Sequence, residues 1–143
     1  MKKTLILIPS RMAATRLPGK PLLKINNLSI ISHVFKRAQE ANIGEVFVAT
    51  EDQEIFEDVT KNGGSAILTS KNHKTGSDRI FEALQKLNIK GVDLIMNLQG
   101  DEPVIDIKDI INLNKKDFRP IENKKEWLKD IHIRGRFSES WKN

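Results

Sequence analysis

Apolar residues in this chain fall into short unbroken runs separated by stretches of helical spacing. Thr4-Leu-Ile-Leu-Ile8 is a leucine and β-branched run halted by Pro9, the pattern of a buried strand. From Ser29 the apolar positions Ile30, Ile31, Val34, Phe35, Ala38 and Ala41 recur at helical spacing. Ser29 is expected as the N-cap and Gly44 as the stop. Glu45–Thr50 predicts a second strand, Asp52–Lys61 a short helix with Ile55, Phe56 and Val59 inward, and Ser65–Thr69 a third strand. A helix from Ser77 to Leu87 with Ile80, Ala83, Leu84 and Leu87 on one face follows, then a fourth strand over Val92–Leu98 and a helix from Ile107 to Asn114. Strand and helix alternate, and the strands are continuously apolar. That predicts a parallel sheet covered by helices on both faces, in which ligands bind at the carboxyl ends of the strands.

No pattern of either period is legible from Lys115 to Asn143, which is expected to form a divergent basic tail beyond a nucleotide-binding-size unit at 1–114. Charge supports the division. Of the net +5, residues 1–114 carry +1 and residues 115–143 carry +4, so the near-neutral body argues against general nucleic-acid binding. Contact of the tail with nucleic acid is a weaker reading, predicting a steep salt dependence. The absence of cysteine removes disulfides, thiol nucleophiles and cysteine-based zinc sites. His33, His73 and His132 match no metal-ligand spacing, and His33, between Ile31 and Val34, reads as a packing or surface residue. With no signal-like or membrane-spanning run, the chain is expected in the cytoplasm and away from membranes.

Two strand-end loops carry unusual chemistry. Pro9-Ser-Arg-Met-Ala-Ala-Thr-Arg-Leu-Pro-Gly-Lys-Pro21 places Arg11, Arg16 and Lys20 among small residues and a glycine, which suits a polyphosphate. It is not a Walker loop, because Ala14 and Pro21 occupy positions that motif needs as Gly and Ser or Thr, and no G-x-G-x-x-G exists. A solvated basic loop is the plainer alternative. Leu98-Gln-Gly-Asp-Glu-Pro103 offers Asp101 as a hard oxygen ligand that could hold Mg²⁺ against a triphosphate, although an ordinary Gly-Asp turn explains it equally well. In His73-Lys-Thr-Gly-Ser-Asp-Arg79, a helix amino end suits an anion, while local features favour a simple capped helix with Arg79 in solvent.

Ile8-Pro-Ser-Arg-Met-Ala-Ala-Thr-Arg-Leu-Pro-Gly-Lys-Pro-Leu22 closely resembles the amino-terminal signature of the 3-deoxy-manno-octulosonate (Kdo) cytidylyltransferases. Val46–Thr50 with Asp52, Asn62-Gly63-Gly64, His73–Arg79 and Asn97-Leu-Gln-Gly-Asp-Glu-Pro103 follow in that family's order, so the match covers about residues 3–113. The resemblance implies a three-layer Rossmann-like nucleotidyltransferase fold, here truncated. It implies a reaction in which the anomeric hydroxyl of Kdo attacks the α-phosphate of CTP, releasing pyrophosphate and forming CMP-Kdo for lipopolysaccharide, with Mg²⁺ required. By position, Arg11 and Lys20 would neutralise the triphosphate, and Asp101 would be both catalytic and the Mg²⁺ ligand. Ser10, Gln99 and the His73–Arg79 segment, including Gly76, Ser77 and Arg79, would border the nucleotide. The resemblance thus reverses the local reading of that segment. CTP and Kdo are the implied partners. The family's second half supplies most of the sugar pocket, another metal-binding aspartate and the homodimer interface. None of these is found in the sequence, so a dimer is not expected. The chain is then either a cytidylyltransferase unit or a non-catalytic nucleotide-binding remnant. A CMP-sialate synthetase is the alternative enzyme, although its first motif usually differs from Arg16-Leu-Pro-Gly-Lys-Pro.

Overall fold

The computed structural model of the 143-residue chain describes residues 3–13, 18–71, 76–89, 91–98, 106–115 and 133–134. Strand β1 (Thr4–Ser10) leads through a turn of 3₁₀ helix (Lys20–Leu22) to a small hairpin, β2 (Lys24–Ile25) and β3 (Leu28–Ser29). Then come α1 (Ile30–Glu40), β4 (Gly44–Thr50), α2 (Gln53–Lys61), β5 (Ala66–Leu68), α3 (Gly76–Leu87), β6 (Leu94–Asn97), α4 (Ile107–Lys115) and β7 (Ile133–Arg134). The main sheet has the order β5-β4-β1-β6-β7, with β5, β4, β1 and β6 parallel and β7 antiparallel on the edge.

The strands are apolar on both faces because both are covered. Ile6 and Ile8 pack with Val46, Val48 and Met96 against α1, α2 and Ile110 of α4. Leu5, Leu7 and Ile95 face the other way, against Ile80, Phe81 and Leu84 of α3. One strand therefore feeds two cores, as the period of two demands, and the layers are helix, sheet, helix. Phe56, expected inward, is only half-buried, while Ile55 and Val59 are buried.

Three local expectations change. Pro9 does not end β1, which continues to Ser10 paired with β4 through Pro9↔Ala49. The Leu7 carbonyl accepts from Leu98 N–H at 3.0 Å, so Pro9, two residues on, turns its donorless nitrogen to the same side, beyond the last β6 register pair Leu7↔Asn97. The β1–β6 ladder runs as far as the Leu98 N–H bond to Leu7, and its next bond would need an N–H at residue 9, so the proline ends that ladder while β1 runs on beside β4. Gly44 does not stop α1. Asn42, at φ 53°, follows the helix end in the left-handed region, as Asn can, and Gly44 opens β4. A Cβ on Gly44 would lie 1.9 Å from the Thr4 carbonyl oxygen, so the two backbones meet where only glycine fits. The region beyond Lys115, in which no element was expected, supplies β7: Ile133 and Arg134 pair with Met96 and Ile95. A two-residue edge strand is too short to leave a period in sequence.

Ser29 caps α1 as expected, its hydroxyl accepting from Ser32 N–H at 3.2 Å. That hydroxyl also donates to Asp58 of α2, and Ser32 Oγ donates to the same carboxylate at 3.0 Å, fastening α1 to α2. His33 is a packing residue: its Nε2–H donates to the Ile25 carbonyl at 2.7 Å, holding the hairpin to α1. The hairpin turn uses Asn26 (φ 52°) and Asn27 (φ 66°), the left-handed pair of a two-residue loop whose twist matches its strands.

Candidate functional site

The strand order reverses beside β1. The chain passes from β1 to β4 and β5 on one side, then crosses to β6 on the other. An open parallel sheet binds ligands outside the carboxyl ends of its strands at such a switch point. The two loops singled out in sequence leave β1 and β6, which are parallel neighbours, so both start from the same edge. β1 extends to Ser10, three residues past the Leu7↔Asn97 pair.

At that edge Ser10 is buried and sits in register with Thr50. Arg11 follows, its side chain 37% exposed, with Nη1 4.0 Å from Glu51 Oε1. The cationic loop closes at its neck, where Gly19 N–H donates to the Met12 carbonyl at 3.0 Å. Gly19 has φ 81°, a left-handed conformation that favours glycine, and it starts the 3₁₀ turn that carries Lys20. Arg11 and Lys20 therefore flank one neck, and Lys20 makes no ion pair among the described residues. Asp52 ties this loop to the next strand end, its carboxylate accepting from Met12 N–H at 2.8 Å. Its own N–H donates to Thr50 Oγ1 at 3.1 Å.

Arg79, in the first turns of α3, points back into the protein and not into solvent. Nη1 donates to Thr69 Oγ1 at 3.3 Å and Nη2 to Glu51 Oε1 at 3.4 Å. Burial lowers the Arg79 guanidinium from its ordinary value; Glu51 opposes the shift and nearby Arg11 adds to it. An arginine remains charged regardless, so two cations share one carboxylate oxygen. The local reading of Arg79 as a solvated side chain is thus corrected: the ends of β4 and β5 supply partners that draw it inward.

Of the residues expected at the site, Ser10, Arg11, Lys20 and Arg79 come to this edge, and Gly76 and Ser77 open α3. Arg16, His73, Gln99 and Asp101 lie outside the described residues. Glu51 and Asp52 were not singled out as site residues. The signal was present in Thr50-Glu-Asp52, an acidic pair leaving a strand next to a cationic loop. Among the described residues no group of three His, Asp or Glu side chains could hold a metal ion, and Glu51 and Asp52 are engaged with Arg79 and Met12. Nor is any helix among them long and apolar enough to cross a membrane. A cleft of about 500 Å³ lies at the opposite end of the strands, lined by Thr4, Ile43, Ile89 and Val92, and holds none of the site residues.

Comparison with known proteins identifies relatives of the chain. A profile of the family described as Cytidylyltransferase matches residues 5–127, reaching beyond the 3–113 read from motifs. The 3-deoxy-manno-octulosonate cytidylyltransferase of Nitrobacter winogradskyi is 58% identical over 104 residues, which are 72% of this chain and 41% of that protein. The protein of the same name from Rhizobium etli is 48% identical over 124 residues, 86% of this chain and 48% of the relative. A solved structure of CMP:2-keto-3-deoxy-manno-octonic acid synthetase complexed with CTP superposes with a TM-score of 0.73 at 43% identity, over 80% of this chain and 46% of that one. The chain spans less than half the length of these relatives, and its fold is that of a Rossmann-like nucleotidyltransferase.

Proposed function

Because the chain belongs to the cytidylyltransferase family, we propose that it forms the nucleotide-binding part of an enzyme that moves CMP from CTP to Kdo with release of pyrophosphate. The observation that carries this reading is the adjacency of β1 and β6: a cationic loop and an acidic loop leave one sheet edge at the switch point. In this reading Arg11 and Lys20 offset the charge of the triphosphate, which grows on the leaving pyrophosphate in the transition state. Ser10, Gln99 and the stretch from His73 to Arg79 border the nucleotide. The anomeric hydroxyl of the sugar acid attacks the α-phosphate, and the product serves lipopolysaccharide assembly in the cytoplasm.

Mg²⁺ is part of the proposal. This ion usually takes only one or two carboxylates and completes its shell with phosphate oxygens and water, and Asp101 would be one of those carboxylates. The described residues do not form a metal site by themselves. Bound there, the ion would neutralise phosphate charge.

Isothermal titration of the chain with CTP, with and without Mg²⁺, followed by a pyrophosphate-release assay with Kdo, tests the reading. Binding of CTP in preference to ATP, GTP and UTP is expected. Asp101→Ala should remove the gain in CTP affinity that Mg²⁺ brings while leaving the unfolding temperature unchanged. A variant that keeps the whole Mg²⁺ effect overturns the metal assignment. A wild-type chain that binds no CTP overturns the nucleotide reading.

A further inference from the structure

Arg11 and Arg79 meet the same atom, Glu51 Oε1, from different environments. The Arg79 side chain is 3% exposed and 3.4 Å away, whereas that of Arg11 is 37% exposed and 4.0 Å away. A buried guanidinium without an anion is strongly unfavourable, while an exposed ion pair is worth little. Glu51, itself largely buried, therefore belongs energetically to Arg79. The group of three carries a net positive charge, which Asp52, also close to Arg79, offsets in part, and what is left lies with the more accessible Arg11.

Arg79 is also one of a row on α3. Arg79, Glu82 and Lys86 stand at helical spacing of three and four, and they grip three consecutive residues at the end of β5. Lys86 Nζ donates to the Leu68 carbonyl at 2.8 Å, Arg79 reaches Thr69 Oγ1, and the Glu82 carboxylate accepts from Ser70 N–H at 3.0 Å and from Ser70 Oγ. Glu82 and Lys86 also pair with each other at 3.1 Å. Thr69 N–H in turn donates to the Thr50 carbonyl at 2.8 Å, so the row is anchored to β4 as well. Helix α3 is thus held in one orientation at the edge where its amino end opens.

We infer that Glu51 gives the two arginines different work: it neutralises Arg79 as a positioning residue that clamps the amino end of α3 to β4 and β5, and leaves Arg11 as the cation that meets a polyphosphate. The inference rests on the nucleotide-binding reading of this edge and assigns roles within it. Arg79 borders the nucleotide from behind, through the backbone it holds in place. The contribution of Arg11 to the depression of the Arg79 proton affinity agrees with two cations close to one anion.

The test combines thermal unfolding with titration of inorganic tripolyphosphate, using the full chain and its Arg11→Met, Arg79→Met, Glu51→Gln and doubly substituted Arg79→Met, Glu51→Gln forms. Breaking the buried pair from either side should lower the unfolding temperature by about 5–10 °C. The double variant should lose clearly less than the sum of the two, since no charge is then left buried alone. Arg11→Met should stay within about 2 °C of wild type, as befits a partly exposed residue. Tripolyphosphate binding should show the reverse ranking, weakened about tenfold by Arg11→Met, a charge-assisted contact, and less than about threefold in the double variant. If either single variant does not fold, the double variant and Arg79→Lys, which keeps the charge without the fork, carry the comparison. Simple addition of the two stability losses overturns the pairing. A double variant that loses tripolyphosphate as severely as Arg11→Met makes Arg79 a direct ligand and overturns the division of roles, as does a wild type that binds no tripolyphosphate. Tripolyphosphate binding without CTP binding leaves the assignment of Glu51 standing and removes only the cytidine reading.

Discussion

Asp52 offers a sharp test of how the site edge is assembled. Its carboxylate accepts a hydrogen bond from the Met12 backbone N–H at 2.8 Å, across the gap between the β1 and β4 loops. It also stands at the N-cap position of α2, where it makes no side-chain capping bond and acts on the helix by charge alone. Replacing Asp52 by Ala removes a bond to a charged acceptor, worth about 1.5–3 kcal/mol. It also removes a favourable anion at a helix amino end, worth about 0.3–1 kcal/mol. The expected loss is therefore about 2–4 kcal/mol, the sum of the two. With a urea dependence of about 2 kcal/mol per molar, the midpoint should fall by about 1–2 M. Asp52→Asn keeps an acceptor oxygen and loses only the charge, so it should cost about half as much. Because Met12 also accepts from Gly19 at the neck of the cationic loop, the effect should be local as well as global. Amide exchange at Met12 and Gly19 should accelerate more than in the α1 core. Urea unfolding of both variants with hydrogen exchange by NMR gives the comparison. An Asp52→Ala protein within about 0.5 kcal/mol of wild type, the range of an ordinary surface change, would refute the reasoning.

Two further outcomes follow from packing and capping. Gly44→Ala brings a Cβ to 1.9 Å from the Thr4 carbonyl oxygen and 2.8 Å from its carbon, so β1 and β4 must part; a loss of about 3 kcal/mol or more is expected in chemical denaturation, and a change under 1 kcal/mol contradicts the close approach. Ser29→Ala removes the α1 cap and one of the two hydroxyls on Asp58, with an expected cost of about 1–3 kcal/mol; Ser29→Asn, which can still cap, should recover part of it in the same assay.

What the chain alone determined was periodicity and local chemistry. The apolar runs at Leu5–Ile8 and Val46–Ala49 and the helical spacing of Ile30 to Ala41 could form only buried strands and an amphipathic helix, so the alternating α/β order was legible. The loop with Arg11 and Lys20 was recognisable because unusual charge, Gly and Pro lie together in a dozen residues. Tertiary structure alone decided how separate segments meet. Pro9 could stay within β1 because its nitrogen faces β6 and its pairing with β4 does not need it, a fact of strand order. Gly44 proved to be a contact with Thr4, 40 residues away, and not a helix stop. Arg79 turned inward because Glu51 and Thr69, from two other strand ends, converge on it. Such partners are set by register and crossover, and a one-dimensional pattern of polarity does not record which strand ends will be neighbours.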